Sequence, residues 1–192
     1  MEQIDLNKDI DAAVRVLDEG GVILYPTDTV WGIGCDACNP AAVEKVYRIK
    51  NRPDSKALIT LVGSVGDLER WVEIVPPVAV DMISGSERPV TVVFDKGRGL
   101  APNLLAADGS VGLRVTSEAY SRALCDRLGR PVVSASANVS GDPSPAFYAE
   151  ISPEILSLVD YVACYRRDDI VPRQPSQVVK ISSDGTVKIL RH

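Results

Sequence analysis

Three stretches of this 192-residue chain carry side chains suited to an anionic ligand. The densest is Tyr47-Arg48-Ile49-Lys50-Asn51-Arg52-Pro53-Asp54-Ser55-Lys56, where four cations fall within nine residues of a protein of formal charge -5. Lys50 and Arg52 stand two apart, and an extended backbone there would turn them to one side. Such a pair suits a triphosphate, arginine as a forked donor and lysine as a compact charge. The competing reading is a solvated helix end, where cations favour the C-terminal dipole. On either reading, substitution of these cations should barely change stability.

The second stretch is Val133-Ser134-Ala135-Ser136-Ala137-Asn138-Val139-Ser140-Gly141. Small side chains alternate with hydroxyls and one amide, offering donors to phosphate or carboxylate oxygens without bulk. A generic turn and helix cap is the alternative. The third is Gly21-Val22-Ile23-Leu24-Tyr25-Pro26-Thr27-Asp28-Thr29-Val30-Trp31-Gly32-Ile33-Gly34. Here an apolar strand stops at a proline, opens into three short polar side chains, and continues into glycines that allow close backbone approach. In α/β proteins a strand that ends this way often faces a ligand.

Common catalytic patterns are missing. There is no G-x-x-x-x-G-K-[ST], no complete G-x-G-x-x-G and no G-x-S-x-G, and the one histidine is His192. Histidine acid/base work and a Ser-His-Asp triad are therefore disfavoured. Cations, hydroxyls and an amide without an obvious nucleophile suit a reaction driven by positioning and charge neutralisation, such as phosphoryl or nucleotidyl transfer. Cys35-x-x-Cys38 has the spacing of half a zinc site or a redox pair. Cys125 and Cys164 stand alone, so small buried thiols are the favoured reading, with no metal ligands assigned and no zinc expected.

The elements that must hold these stretches alternate. A helix is predicted over residues 8–19, a buried strand over 22–25, and a helix capped by Asn39 with Pro40 at its first position. Strands follow over 57–62, 89–94 and 111–115, with helical turns over 64–71 and up to Ile83 and a long loop over 95–109. Thr116 or Ser117 should cap a helix closed by Gly129, and a short strand over 131–133 should open into the Ser-rich loop. Strands over 158–164, 177–181 and 186–190 complete the chain. The pattern is α/β or mixed α+β in one domain spanning 1–192. Apolar content of 45% suits a substantial core, and no apolar run approaches 18 residues, so no membrane span is expected. The start is not a signal peptide, and a cytoplasmic location is the default.

Taken together, the three stretches resemble the YrdC/TsaC family of threonylcarbamoyl-AMP synthases. The resemblance rests on Tyr25-Pro26-Thr27-Asp28-Thr29-Val30-Trp31-Gly32-Ile33-Gly34, Lys50-x-Arg52 and Ser136-Ala137-Asn138-x-Ser140-Gly141. Pro89-Val90-Thr91, Val111-Gly112-Leu113-Arg114-Val115 and Pro175-Ser176-Gln177-Val178-Val179 also fit. Departures are Glu87-Arg88 ahead of Pro89, where the family favours glycine, and Trp31, where tyrosine is commoner. The resemblance implies a twisted mixed β-sheet flanked by helices, with a positively charged groove, in the short form of the family. It implies an L-threonylcarbamoyladenylate synthase, a nucleotidyltransferase using ATP, L-threonine and bicarbonate or CO2 and releasing pyrophosphate. Other proteins would then transfer the threonylcarbamoyl group to adenosine 37 of tRNA.

By motif match, Lys50 and Arg52 are the implied catalytic residues. The ATP site would comprise Lys50, Arg52, Lys56, Ser110, Ser136, Asn138, Ser144 and Arg191, with Mg2+ on the phosphates. Thr29, Arg114, Ser134 and Ser176 would hold L-threonine, Arg114 pairing its carboxylate. The alternatives are a double-stranded RNA or tRNA-binding module, which the net charge opposes, and an inactive paralogue, which the intact Ser-Ala-Asn stretch opposes.

Overall fold

The protein was analysed as a computed structural model that describes residues 5–51 and 58–192. Arg52 and Lys56 lie outside the described residues. The helices are α1 (Leu6–Asp18), α2 (Pro40–Ile49), α3 (Leu68–Trp71), α4 (Pro77–Gly85), α5 (Ala119–Leu128) and α6 (Pro153–Leu158). The strands are β1 (Ile23–Tyr25), β2 (Gly32–Gly34), β3 (Ile59–Val62), β4 (Val90–Phe94), β5 (Val111–Val115), β6 (Val132–Ser136), β7 (Tyr161–Val162), β8 (Gln177–Ile181) and β9 (Val187–Arg191). Among the described residues these strands form one mixed sheet in the order β7-β1-β2-β6-β3-β5-β4-β8-β9.

Local chemistry explains most boundaries. Asn39 accepts from the amides of Ala41 and Ala42 at 3.0 and 3.2 Å, with Pro40 next to it, so α2 starts where the cap demands. Gly129 closes α5 at φ +66°, a left-handed position that suits glycine. The cap of α5 differs from expectation. Glu118, rather than Thr116 or Ser117, accepts from the amide of Ser121 at 2.8 Å, while Thr116 turns inward to Ser121 Oγ at 2.7 Å. The faces of α1 and α5 pack together, burying Ile10, Ala13 and Leu17 against Tyr120 and Leu124. Asp9 ties α1 to β7: its buried carboxylate accepts from Tyr161 Oη at 2.5 Å and from the amides of Cys164 and Tyr165 at 3.0 and 2.9 Å.

Three segments depart from the sequence reading. Gly32-Ile33-Gly34 is a strand, paired with β1 as a hairpin in the register Ile23↔Gly34. A Cβ at Gly34 would stand 2.2 Å from the Val133 carbonyl oxygen and 2.6 Å from the Tyr25 ring. That glycine therefore lets Tyr25 and β6 close over the hairpin, a packing need rather than a ligand contact. The Ser-rich stretch stays in the sheet through Ser136, because Ser136 pairs with Gly32 and Ser134 with Ile59. The strand expected over 158–164 is shortened to Tyr161–Val162 by α6, which was not anticipated.

Candidate active site

The turn between β1 and β2 is built from its own hydroxyls. Thr27 Oγ1 accepts from the Thr29 amide at 3.0 Å, donates to the Val30 carbonyl at 2.6 Å and lies 3.1 Å from Thr29 Oγ1. Arg166 fixes the turn from outside by donating to the Thr27 carbonyl at 3.0 Å. Arg166 adopts φ +64° and is itself held by Asp169 at 2.9 Å. Asp169 also accepts from the Val171 amide and from Arg173, and these contacts, the amide foremost, hold its pKa down to about 2. One side of the turn is thus locked to the segment that leads to Ser176.

Beside this turn lies a cleft of about 260 Å³, near the lower end of ligand-sized cavities. Its lining includes Thr29 from the turn, Ser134 and Ser136 from β6, and Arg114 from β5. Ser144, Ser176 and Arg191 complete the polar wall, with Trp31, Ile59 and Pro175 among the apolar groups. Seven residues expected from the sequence meet here from five separated segments. Among the described residues no aspartate or glutamate lines the cleft.

Arg114 is the buried cation of the wall, with its side chain 3% exposed. Burial pulls its pKa below the usual guanidinium value, and neighbouring Asp28 pushes it back up. Arg114 stands opposite Thr91 in the sheet register. Thr91 Oγ1 lies 2.8 Å from Ser176 Oγ, and Arg191 donates to the Ser176 carbonyl through Nη2 at 2.9 Å and Nε at 3.2 Å. Ser176 is therefore held between two strands, with Arg191 folded over it. Trp31 is 4% exposed and packs on Tyr148 at 5.0 Å, so it serves as wall rather than as a free stacking face.

Lys50 stands behind the cleft. It is 2% exposed, and its ammonium donates to the carbonyls of Ser136 and Asn138 at 2.5 and 2.6 Å. Ser136 Oγ and Asn138 Oδ1 each lie 3.3 Å from the same nitrogen. The Lys50 carbonyl accepts from the Ser140 amide at 2.8 Å. The solvated-helix-end reading therefore fails for Lys50, whose side chain runs inward and fastens the Ser136–Ser140 segment. The backbone is not extended here either: Lys50 caps α2 in the helical region and Asn51 takes φ +46°.

Asn138 turns its amide nitrogen to the Val139 and Asp142 carbonyls at 2.9 and 2.8 Å, which shapes the loop past β6. Ser110 is buried at the entry to β5, its amide donating to Asp108 Oδ1 at 2.9 Å, and it is not among the lining residues. Asp28 and Thr91 were not singled out from the sequence as site residues, although both sit inside the quoted motifs.

The four cysteines are reduced in this structure, and burial raises the pKa values of Cys35, Cys38 and Cys125. The Cys35 thiol is pushed far above the ordinary range, Cys38 up to about 11, with Asp36 adding to burial, and Cys125 up to about 12. Among the described residues no three His, Cys, Asp or Glu side chains gather as a metal site. Replacing both Cys35 and Cys38 with alanine is expected to leave the activity that the family resemblance implies within about threefold of wild type. Zinc analysis of the purified protein should read far below one atom per chain, and a stoichiometric reading would contradict the buried-thiol role.

Comparison with known proteins identifies the family of this chain. The Sua5/YciO/YrdC family model, described as telomere recombination, matches residues 15–192. A threonylcarbamoyl-AMP synthase of Xanthomonas euvesicatoria is 36% identical over 158 residues, covering 80% of this chain and 84% of the relative. The enzyme of that name from Stenotrophomonas maltophilia is 34% identical over 154 residues, covering 79% and 83%. Among solved structures, E. coli YciO superposes with a TM-score of 0.83 at 25% identity, covering 99% of this chain and 91% of that one. A Sua5 variant from P. abyssi gives a TM-score of 0.86 at 25% identity, covering 99% of this chain, which spans 57% of that longer protein. The P. abyssi Sua5 complex with L-threonine, at 24% identity and a TM-score of 0.78, shares the fold. With a family match across nearly its whole length and relatives above 30% identity, this chain belongs to the Sua5/YciO/YrdC family.

Proposed function

We propose that the protein is an L-threonylcarbamoyladenylate synthase. The observation that carries this reading is the convergence of Thr29, Arg114, Ser134, Ser136, Ser144, Ser176 and Arg191 on one cleft. The names of the relatives support it, as does the L-threonine bound in a protein of the same fold. In the proposed reaction the threonine amine adds to CO2, supplied directly or by dehydration of bicarbonate, and loses a proton to solvent to give N-carboxythreonine. Its carbamate oxygen attacks the α-phosphorus of ATP. The bond from that phosphorus to the β-phosphate bridging oxygen breaks, and pyrophosphate leaves with the electron pair. No proton acceptor is needed at the attacking oxygen, which fits a wall of cations and hydroxyls without histidine.

The buried Arg114 pairs the threonine carboxylate, and Thr29, Ser134 and Ser176 surround the amino acid with hydroxyls. Ser136, Ser144 and Arg191 face the nucleotide, and Asn138 shapes the same loop. Lys50 acts through Ser136 and Asn138 as a positioning residue, while Arg52 and Lys56 would supply phosphate contacts. Ser110 belongs to the far end of an extended nucleotide. Among the described residues no carboxylate lines the cleft, so the phosphate oxygens would be the main carriers of Mg2+. Downstream proteins would deliver the threonylcarbamoyl group to tRNA, in the cytoplasm. Among the described residues no helix is long and apolar enough to cross a membrane.

A site lined with hydroxyls should reject valine, which has nearly the shape of threonine and lacks its hydroxyl. Buried polar groups left unpaired make such discrimination large, on the order of 100-fold or more in kcat/KM. Pyrophosphate release with each amino acid in turn measures it. Comparable rates with valine would remove the hydroxyl residues from the amino-acid site.

A further inference from the structure

Asp28 and Arg114 form a buried ion pair that is incomplete. Asp28 comes from the β1–β2 turn and Arg114 from β5, and their side chains are 5% and 3% exposed. Asp28 Oδ1 lies 3.0 Å from Arg114 Nη2, close enough for charge pairing but out of line for a hydrogen bond. Four buried atoms of this pair have no hydrogen-bond partner among the described residues: both Asp28 oxygens, and Arg114 Nε and Nη2. Buried groups in this state are rare in folded proteins, and each calls for a reason. An ion pair placed for stability would be expected to satisfy its donors and acceptors, since desolvation is otherwise uncompensated. This pair instead leaves a guanidinium partly unsatisfied at the wall of a cleft.

The surroundings show why the guanidinium needs an anchor. Arg191, the other cation of the wall among the described residues, sits near enough to repel Arg114, and is itself directed onto Ser176. Asp28 is the acidic side chain paired with Arg114, and its loop is rigid because of the Thr27 hydrogen bonds and the Arg166 contact. Asp28 itself does not line the cleft. Its contact with Arg114 links it to a ligand in the cleft.

We propose that Asp28 is a positioning residue that holds Arg114 in the orientation needed to receive the carboxylate of the amino-acid substrate. This inference rests on the proposed synthase reading and adds a residue to it. Asp28 fixes the Nη2 edge of the guanidinium from behind, and the donors it does not engage remain for the ligand. Asparagine at position 28 keeps the shape but removes the charge, so Arg114 loses its counter-ion and its fixed direction.

The test is steady-state kinetics of Asp28→Asn, Arg114→Met and the double variant, with threonine and ATP varied separately and each melting curve recorded. Asp28→Asn should raise the threonine KM about tenfold or more, the scale of one charge-assisted contact, while the ATP KM stays within about threefold. The double variant should be no worse than Arg114→Met alone, because Asp28 acts through Arg114. An unchanged threonine KM in folded Asp28→Asn overturns the proposal. Equal losses for threonine and ATP, or losses that multiply in the double variant, also overturn it. If Asp28→Asn fails to fold while the double variant folds, the carboxylate serves stability only and the proposal falls. A wild-type protein without threonine dependence would instead refute the synthase reading itself, so the two failures are distinct.

Discussion

Lys50→Met is expected to lower kcat by about 100- to 1000-fold, the scale of losing one organised donor at a developing charge. It should also lower the melting temperature. Methionine keeps the stem and removes the ammonium that now holds the Ser136 and Asn138 carbonyls. Each carbonyl left without its donor costs roughly 1–3 kcal/mol, and each kcal/mol moves the melting point of a domain this size by about 2–4 °C. With its anchor gone, the segment carrying Ser136 and Asn138 no longer holds the Ser136 hydroxyl toward the cleft, which is why rate and stability should fall together. Kinetics and a melting curve on the same preparation decide it. A rate loss with an unchanged melting point would mean that Lys50 meets phosphate directly and is not the fastener described here. Wild-type kinetics with a lowered melting point would leave it a fold residue alone.

Arg114→Met should have its largest effect on threonine. Loss of a paired, buried guanidinium removes about 1.5–3 kcal/mol of carboxylate binding per charged hydrogen bond, so the threonine KM should rise by about 100-fold for a two-pronged contact. The variant should also be less stable, by roughly 3–5 kcal/mol, because Asp28 is left buried without a counter-ion. That cost has a pH dependence of known sign. An unpaired buried carboxylate is easier to protonate than one beside a cation, so lowering the pH should relieve part of the variant's deficit. Melting curves of wild type and variant across acidic pH read this out. A constant gap between them would show that Asp28 remains compensated by another group.

Much of the fold was legible in the sequence because its signals are local. Asn39-Pro40 announces α2, Gly129 closes α5, and the apolar runs at Val90–Phe94 and Val111–Val115 read directly as strands. What escaped depends on partners distant in the chain. Gly32-Ile33-Gly34 has one side chain larger than hydrogen, so it carries no alternating pattern, and pairing with β1 and β6 makes it a strand. The serines of β6 read as a loop because hydroxyls are common in turns, yet two neighbouring strands extend the sheet through them.

The candidate site followed the same division. Residue types and order, matched to a family, named the side chains that the cleft brings together. They could not show that Lys50 is buried, because lysine almost never is unless paired, and its oxygens come from a loop far along the chain. Nor could spacing reveal that Asp28 meets Arg114, since turn and strand come from different parts of the chain and meet across the cleft wall.

The most direct measurement is to incubate the protein with Mg2+-ATP, L-threonine and 13C-labelled bicarbonate, following pyrophosphate and identifying the nucleotide product by mass. The expected result is one pyrophosphate per molecule of threonylcarbamoyl-AMP, the product carrying the label, with both absent when threonine or bicarbonate is omitted. Pyrophosphate release that persists without threonine, or an adenylate that carries no label, would contradict the account.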